Sequence, residues 1–338
     1  MKNKIRKIAQ EFIEKRIFPG CAIKAGNSKE VFFEDYIGTI DEKVPTSAQS
    51  LYDVASLSKV VATLPAVLVL LQNGRIDIED SVKKYIPIQS DDIVIRHLLT
   101  HTSGMQPYSE SYRFTDNPDS LVNELYKVAP LREPEKEVVY SCLNFIFLKK
   151  VVDAVTGDFE SFVKESVFQP LQMNNTFYKP GDIDNVAPTS ERENKRIIGM
   201  PDDELAYYLG GVSGNAGVFS TADDVFKYSC EWLSPNKVLS RAAVNTAVKP
   251  WTDQINGDRK GLGWMLFTNR CSGGSLLSEK SFGHTGFTGT SLWIDPENDI
   301  AFTILTNRCF YQRHTSKNEI WEFRRRVHHV LMSEYLKG

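Results

Sequence analysis

The sequence predicts an α+β fold in which one antiparallel sheet is assembled from both ends of the chain. Near the N-terminus, residues 21–25 and 30–38 have the composition of two strands joined by a Gly-Asn-Ser turn at 26–28. From about residue 261 the apolar residues recur with a period of two, which is typical of an antiparallel meander. Between these regions the spacing is mostly helical. We therefore expect helices to flank the sheet and a largely helical insert to face it.

The 338 residues, of which 41% are apolar and 25% are charged, have an ordinary globular composition. We predict a single domain over residues 1–338. Its α/β part is expected to take in approximately residues 1–75 and 261–338, and its mostly helical part approximately residues 76–260. No internal repeat or low-complexity linker suggests another division.

The N-terminal stretch has the spacing of an amphipathic helix, with apolar residues at Ile5, Ile8, Ala9, Phe12 and Ile13. It lacks the continuous apolar region of a signal peptide, and the longest apolar run, residues 60–71, is too short to span a bilayer. Nothing in this pattern predicts membrane insertion.

Charge and cysteine content limit the partners and the compartment. The net charge is −3 and no block of lysine or arginine is present, so the sequence does not suggest binding to nucleic acid or to an anionic membrane. The five cysteines are an odd number without paired spacing, which favours a reducing compartment over a disulfide scaffold. We expect a cytoplasmic protein.

The central element is expected to be a helix that begins near Ser56 and ends at Asn73-Gly74. Residues 60–71 are apolar on all sides except at Thr63, so this helix should be buried. Pro65 predicts a kink within it.

Further elements are predicted from the period of the apolar residues and from the residues that typically begin or end helices and strands. Helices are predicted at residues 78–85, at 92–101, near 118–128, after Tyr140-Ser141, from Ser220-Thr221 through Trp232, and at 318–336. Strands are predicted at residues 261–267, 276–282, 289–294 and 300–306. The polar segment 174–208 is expected to line a site, and the glycine-rich segment 210–217 to form a tight turn.

Ser56 and Lys59 are three residues apart, so in a helix their side chains share one face. A lysine one turn away is a known means of activating a serine hydroxyl, and a helix N-terminus favours the negative charge that develops in acyl transfer. The same spacing occurs in three polar stretches, where we expect solvated surface residues: Ser81–Lys84, Ser161–Lys164 and Ser234–Lys237.

His97 and His101 have the spacing that can hold a metal on a helix. No glutamate lies between them and no third ligand is near, so we predict no metal site. Cys142 is interpreted as a small buried residue and not as a catalytic thiol, because no histidine is an evident partner.

Several blocks of sequence, taken in order, resemble the serine β-lactamase and penicillin-binding-protein superfamily. Its signature combines S-x-x-K, a central S-D-N-type element and K-T-G. The corresponding pieces here are Ser56-x-x-Lys59, Tyr140-Ser141 and His284-Thr285-Gly286. With a tyrosine in the second piece, the chain resembles the class C branch of the superfamily. That branch contains β-lactamases, D-peptidases and β-lactamase-like esterases. The likeness extends over nearly the whole chain, including residues 96–104 and 214–223.

The resemblance implies a role for each matching residue. Ser56 would be the nucleophile, Lys59 would share protons beside it, and Tyr140 would be the general base. His284 would line the pocket and orient Tyr140 or the substrate, and the backbone N–H groups of Ser56 and Phe287 would form the oxyanion hole. The substrate pocket would include Cys142, Asn144, Thr285 and Gly286.

The tyrosine needs help to act as a base. A phenol with its ordinary pKa of about 10 is ionised in only about one molecule in a thousand at pH 7. We expect a cation such as Lys59 to lower the pKa of Tyr140 by favouring the charged form.

Two positions depart from the β-lactamases of the family. Cys142 stands where they have asparagine, and a thiol is a weak hydrogen-bonding partner for a substrate amide. His284 stands where they have lysine, and a neutral imidazole holds a substrate carboxylate less firmly. Asn144 lies roughly opposite on the helix and is not expected to replace the missing asparagine. Both departures favour the esterases and D-aminopeptidase-like members of the family. The resemblance implies that these members commonly have histidine at the position of His284.

The function predicted is hydrolysis of a small ester, amide or peptide through an acyl-serine, with no metal or organic cofactor. D-amino-acid amides and cell-wall fragments are included in this substrate range. The alternative enzymes are a weak class C β-lactamase and a D-Ala-type peptidase or cell-wall fragment amidase. The alternative from another class is a penicillin- or peptide-binding protein that stays acylated. The sequence does not predict an oligomeric state.

Overall fold

The computed structural model describes residues 1–115, 117–181, 184–311, 313 and 317–337. Its α-helices are α1 Lys2–Glu14, α2 Leu64–Gln72, α3 Ile95–Leu99, α4 Pro118–Tyr126, α5 Cys142–Thr156, α6 Phe159–Val163, α7 Glu204–Tyr208, α8 Ala222–Leu233, α9 Arg241–Ala247 and α10 Lys317–Tyr335. Its strands are β1 Gly20–Gly26, β2 Val31–Gly38, β3 Tyr52–Asp53, β4 Phe177–Tyr178, β5 Glu191–Arg192, β6 Lys195–Arg196, β7 Val218–Ser220, β8 Met265–Leu266, β9 Phe282–Thr285, β10 Ser291–Asp295 and β11 Ile300–Thr306.

One six-stranded antiparallel sheet joins the two ends of the chain, in the order β2-β1-β11-β10-β9-β8. The N-terminal hairpin meets the C-terminal meander where β1 pairs with β11, with Ala22 opposite Leu305. This confirms the predicted α+β fold and the sheet built from both termini. The division into an α/β part and a helical part by residue number stays a prediction.

Each face of the sheet is covered by helices. On one face α1 and α10 pack together, and the rings of Phe12 and Phe18 lie 5.3 Å and 4.7 Å from the ring of Phe323. On the other face α8 contacts β11, β1 and β10. Burial of both faces explains why β1, β10 and β11 are buried at every position.

The central helix is buried as predicted, but it is not α-helical throughout. A 3₁₀ turn spans Ala55–Leu57, a π-helical turn spans Lys59–Thr63, and only then does α2 begin. Pro65 lies in the first turn of α2, where a proline without an N–H donor is tolerated. The kink predicted at Pro65 stays a prediction; the change of helix type lies in the turn before it.

The stretch Ala55–Gln72 is apolar and long enough to cross a membrane by length and composition, but 83% of it is buried inside the protein. A core helix of a folded protein has the same composition. Among the described residues it is the one stretch that meets this criterion.

Four predicted elements differ from the structure. The strand predicted at 261–267 is reduced to β8, Met265–Leu266. Only a 3₁₀ turn, Val82–Lys84, forms within residues 78–85. The helix predicted at 92–101 shortens to α3, because His101 has a left-handed backbone conformation (φ +60°) that ends it. The strand predicted at 276–282 starts only at Phe282. In the segment before it, the side chain of Ser278 and its backbone N–H bind Asp295 and no strand ladder forms.

Other local signals are confirmed. Pro118 occupies the first turn of α4, and the side chain of Asn117 caps that helix. Thr221 caps α8 by accepting a hydrogen bond from the backbone N–H of Asp224. The hairpin at the N-terminus and the last helix lie within one or two residues of their predicted limits.

Candidate active site

Ser56 lies on a turn that is held in a strained conformation. The preceding residue, Ala55, has φ +48°, which a residue with a Cβ rarely adopts. The buried carboxylate of Asp53 accepts hydrogen bonds from the N–H groups of Ala55 and Asp202, both at 2.8 Å. Burial raises the pKa of Asp53 to about 7, and the two N–H donors oppose that rise. This turn places Ser56 at the wall of two cavities.

Lys59 lies directly behind Ser56 and is fully buried. Its ammonium Nζ donates to Ser56 Oγ at 2.9 Å and to the backbone carbonyl of Asn215 at 2.8 Å. Cys142 Sγ lies 3.8 Å from the same nitrogen. The π-helical turn carries Lys59 to this position, so the pair that spacing predicted is brought together by a helix of a different type.

The glycine-rich segment 210–217 holds Lys59 from the other side. Thr63 Oγ1 donates to the carbonyl of Gly214 at 2.7 Å, which fastens the segment to the central helix. Asn215 Nδ2 donates to Asp203 Oδ1 at 3.1 Å, and this bond orients the carbonyl that accepts from Lys59. The segment therefore forms the predicted turn and also holds the Lys59 ammonium in place.

Tyr140 precedes α5 and is oriented by His101. The N–H groups of Val139 and Ser141 donate to the carbonyl oxygen and Nδ1 of His101, at 2.9 Å and 3.1 Å. The His101 and Tyr140 rings lie 4.6 Å apart, and Lys59 Nζ lies 5.0 Å from the centre of the Tyr140 ring. The backbone conformation that ends α3 therefore also places Tyr140.

The ionisation of Tyr140 differs from the sequence-based expectation. Burial raises the pKa of the Tyr140 phenol, and the charge of Lys59, together with hydrogen bonds from Lys59 and Ser56, offsets only part of that rise. The expectation of a lowered pKa is wrong for the free protein, because desolvation of the phenolate outweighs the nearby cation. Burial alone would lower the pKa of Lys59, but the proximity of Cys142 and Tyr140 leaves it raised. At neutral pH the site holds an ammonium and a phenol.

The raised pKa of Tyr140 predicts how the activity depends on pH. A base whose pKa is raised acquires its active form only as the pH rises, so kcat/KM for an uncharged ester should increase about tenfold per unit between pH 6 and 9. Tyr140→Phe should lower kcat/KM by about 10²- to 10⁴-fold and flatten the profile. Tyr126→Phe, which changes a tyrosine of α4, is the control and should leave the profile unchanged. Wild-type activity that is constant from pH 6 to 9 would contradict the assignment of Tyr140 as base.

The turn between β9 and β10, which contains Phe287, is fastened to the Ser56 segment. Thr288 Oγ1 donates to the carbonyl of Asp53 at 2.7 Å, and Thr290 Oγ1 donates to that of Val54 at 3.0 Å. A Cβ at Gly286 would lie 2.5 Å from the Val54 oxygen, so only glycine permits this approach. The backbones of Ser56 and Phe287, predicted to form the oxyanion hole, therefore belong to segments with a fixed separation.

His284 lies on β9 and is buried. Burial and the charge of Lys59 hold the pKa of its imidazole well below the ordinary range. Its Nδ1 lies 3.0 Å from the carbonyl oxygen of Thr285, and its ring lies 6.1 Å from that of Tyr140. His284 is thus a neutral group beside the base.

Two cavities meet at Ser56, Tyr140 and Phe287. The first, of about 350 Å³, extends toward β9 and α10, and we call it the His284 cavity. The second, of about 480 Å³, extends toward α7, and we call it the Asp203 cavity. The predicted site-lining segment 174–208 contributes Asp202, Asp203 and Glu204 to it; residues 182 and 183 of that segment lie outside the described residues.

The predicted pocket residues divide between these cavities. Thr285 and Gly286 line the His284 cavity and Cys142 lines the Asp203 cavity. Asn144 lines neither, contrary to its predicted place in the substrate pocket. It is fully buried, and its side chain accepts from Ser103 Oγ at 2.6 Å.

The other motifs lie apart from this site. The lysines of the three further S-x-x-K pairs, Lys84, Lys164 and Lys237, are exposed. His97 Nδ1 accepts from the N–H of Val94, while His101 faces Ser141, so the two histidines do not converge. Within the described parts of the chain, no three His, Cys, Asp or Glu side chains form a group that could hold a metal ion.

The sequence analysis did not identify four residues of the site: Asn215, His101, Lys260 and Arg324. Lys260, which is 3% exposed, and Arg324 both line the His284 cavity. The sequence did contain a signal for His101 and Asn215, because both fall within the blocks that resemble the family. Lys260 and Arg324 had no such signal, because their approach to Ser56 depends on the packing of distant segments.

Comparisons with known proteins by sequence point to one family. The family model described as "Beta-lactamase" matches residues 5–321. A protein of Escherichia coli (strain K12) described as "Putative D-alanyl-D-alanine carboxypeptidase" is 30% identical over 317 residues, which take in 81% of this chain and 73% of that protein.

Solved structures share the fold at lower sequence identity. The octameric penicillin-binding protein homologue from Pyrococcus abyssi has a TM-score of 0.75 and 20% identity, covering 92% of this chain and 76% of that one. EstCE1, described as a hydrolase with promiscuous acyltransferase activity, has a TM-score of 0.77 and 21% identity, covering 97% of this chain and 98% of that one. At these identities the likeness concerns the fold.

Proposed function

Because the chain belongs to the beta-lactamase family of serine hydrolases, we propose that it hydrolyses small carboxylic esters or amides through an acyl-enzyme on Ser56. The observation that carries the proposal is the hydrogen bond of 2.9 Å between the buried Lys59 ammonium and Ser56 Oγ at the meeting point of two cavities. A buried lysine bound to a cavity-facing serine is an arrangement that supports nucleophilic catalysis.

Acylation would begin when the phenolate of Tyr140 takes the proton of Ser56. The oxygen Oγ attacks the substrate carbonyl, and the N–H groups of Ser56 and Phe287 bind the oxygen that becomes negative. The C–O or C–N bond then breaks, and the leaving group takes the proton from Tyr140. Lys59, held by Asn215, keeps the local potential positive throughout.

Deacylation would use the same groups in the reverse order. A water molecule gives its proton to Tyr140 and attacks the acyl carbon, and Ser56 recovers a proton as the acid departs. Cys142 stands on the Asp203 side of the ester, where a weak hydrogen-bonding group leaves an acyl amide loosely held. This supports turnover of esters over amides.

The test is covalent labelling combined with turnover. The protein is exposed briefly to a fluorophosphonate, its intact mass is measured and the adduct is mapped, while hydrolysis of p-nitrophenyl acetate and butyrate is followed separately. We expect one adduct, on Ser56, and multiple turnovers of the ester. An adduct without turnover would favour the binding-protein alternative, and the absence of both would overturn the proposal.

A second candidate is a D-Ala-type carboxypeptidase, and the observation that favours it is the E. coli relative at 30% identity. This activity would require a substrate with a free carboxylate beside the scissile amide. Release of D-alanine from a D-Ala-D-Ala tripeptide, measured beside ester hydrolysis, separates the two; no release at high enzyme concentration would exclude it.

We also propose that the chain belongs to the class C branch and acts in the cytoplasm. The class C assignment is supported by Tyr140, whose ring centre lies 5.0 Å from Lys59 Nζ and 6.1 Å from the centre of the His284 ring. The compartment is supported by five cysteines that are all unpaired. Fractionation that finds the native protein outside the cytoplasm would contradict the second assignment.

A further inference from the structure

The His284 cavity carries an excess of positive charge. Lys260, Arg308 and Arg324 line it, and Asp258 is the one carboxylate among the described residues of the lining. The Asp258 side chain is 72% exposed and lies 3.4 Å from Lys260 Nζ, so solvent screens this pair. His284 adds no charge because its imidazole is neutral. An anionic group that enters this cavity would meet the positive charges of Lys260 and Arg324.

Lys260 is the cation best placed to meet such a group. Its side chain is 4% exposed, and its Nζ lies 5.9 Å from the centre of the Tyr140 ring. The backbone N–H of Lys260 donates to Thr252 Oγ1 at 2.8 Å, which fixes the base of the side chain. Burial lowers the pKa of Lys260, and an anion bound at Nζ would restore it. A buried lysine with only a screened partner is costly unless a ligand uses its charge.

Arg324 strengthens the field but is occupied by the protein itself. It is buried, and its guanidinium donates to the carbonyl oxygens of Gly286, Gly289 and Thr290, at 3.3, 3.3 and 2.8 Å. No carboxylate lies within ion-pairing distance of it among the described residues. Its charge therefore adds to that of Lys260 while its donors hold the turn that contains Phe287.

The Asp203 cavity has a different balance. There, Arg313 pairs with both Asp202 and Glu204, so these charges cancel locally. Asp203 adds a further carboxyl group, which accepts from Asn215; burial raises its pKa. The two sides of Ser56 thus have opposite electrostatic character, and an anionic substrate group is favoured on the His284 side only.

We infer that Lys260 binds a carboxylate of the substrate, so that the hydrolysed ester or amide carries a negative charge on the His284 side of the scissile bond. The inference rests on the proposed function. It differs from the sequence-based expectation that His284 in place of lysine disfavours carboxylate substrates, because a lysine from another segment would supply the charge.

The experiment compares matched esters that differ only in charge. One pair varies the leaving group: 3-carboxyphenyl acetate and 3-carbamoylphenyl acetate. The other varies the acyl group: the 4-nitrophenyl monoester of adipic acid and that of its monoamide. In at least one pair we expect the carboxylate to give a kcat/KM about 10- to 100-fold higher, the range of a charge-assisted hydrogen bond.

Two variants assign that preference to Lys260. Lys260→Met should abolish the ratio between charged and neutral esters, and Asp258→Asn should increase it, because the competing carboxylate is removed. Lys83→Met, which removes a lysine paired with Asp91 at the surface, is the matched control and should leave the ratio unchanged. If Lys260→Met does not fold, the direction of the change in Asp258→Asn decides.

The outcomes separate this inference from the proposed function. Equal kcat/KM within both pairs, or a preference that survives in Lys260→Met, would overturn the role of Lys260 while ester hydrolysis stands. A preference that falls in Asp258→Asn would overturn it as well. Failure of all four esters, together with no fluorophosphonate adduct, would instead overturn the proposed function.

Discussion

Ser56→Ala is expected to lower kcat for p-nitrophenyl butyrate by about 10⁴-fold or more, the scale seen when the nucleophile of a serine hydrolase is removed. The substitution deletes the atom that would carry the acyl group, so no other residue of the site compensates. It should also abolish the fluorophosphonate adduct. Ester hydrolysis and intact mass, measured on the same preparation, check both effects.

The control for this variant is a serine with the same spacing to a lysine. Ser234 precedes Lys237 by three residues, but both are exposed, and Ser234→Ala should keep full activity and the adduct. The loss in Ser56→Ala should not come from unfolding, because the change removes only the hydrogen bonds of Ser56 to Lys59 and Tyr140, each worth about 1 kcal/mol. A Ser56→Ala protein as active as the wild type would refute the assignment of the nucleophile.

Lys59→Met is expected to lower kcat/KM by about 10³-fold, and to slow fluorophosphonate labelling of Ser56 by a similar factor. The substitution removes the donor 2.9 Å from Ser56 Oγ and the cation that opposes the rise in the pKa of Tyr140. Proton transfer to a positioned group contributes about 10²- to 10⁴-fold in enzymes. Labelling reports on the nucleophile alone, so it separates this effect from substrate binding.

Thermal unfolding provides the control for Lys59→Met. Replacing a buried charge by an apolar side chain of similar length is often neutral or stabilising, although the carbonyl of Asn215 loses its donor. We therefore expect little change in Tm while activity falls. Lys237→Met should change neither quantity. If Lys59→Met retains more than about a tenth of the activity, Lys59 does not have the role proposed here.

The sequence was sufficient to predict the sheet built from both termini and the main helices that pack against it. Strand alternation and helix spacing reflect burial of one face of each element, and burial acts on every residue of a segment. That is why the N-terminal hairpin, α8 and α10 were predicted close to their limits. The predictions failed where a local bond competes with the pattern, as when Ser278 binds Asp295 in place of a strand ladder.

The spacing of Ser56 and Lys59, together with the blocks around Tyr140 and His284, determined the family and the candidate chemistry. These residues are recognisable because they occur in short, ordered motifs. Their contacts could not be derived in this way. Lys59 binds the carbonyl of a residue 156 positions away, and Tyr140 is oriented by His101 only because the chain adopts a left-handed conformation there.

What the sequence by itself determined is therefore the fold, the family and the reactive pair, since each is encoded in spacing along the chain. Only the tertiary structure decided the charge of the two cavities and the ionisation of Tyr140. Lys260 and Arg324 reach the site from segments with no motif, and burial raises the pKa of Tyr140 despite the neighbouring cation. Desolvation and electrostatic potential depend on all the groups packed around an atom, and sequence spacing does not specify them.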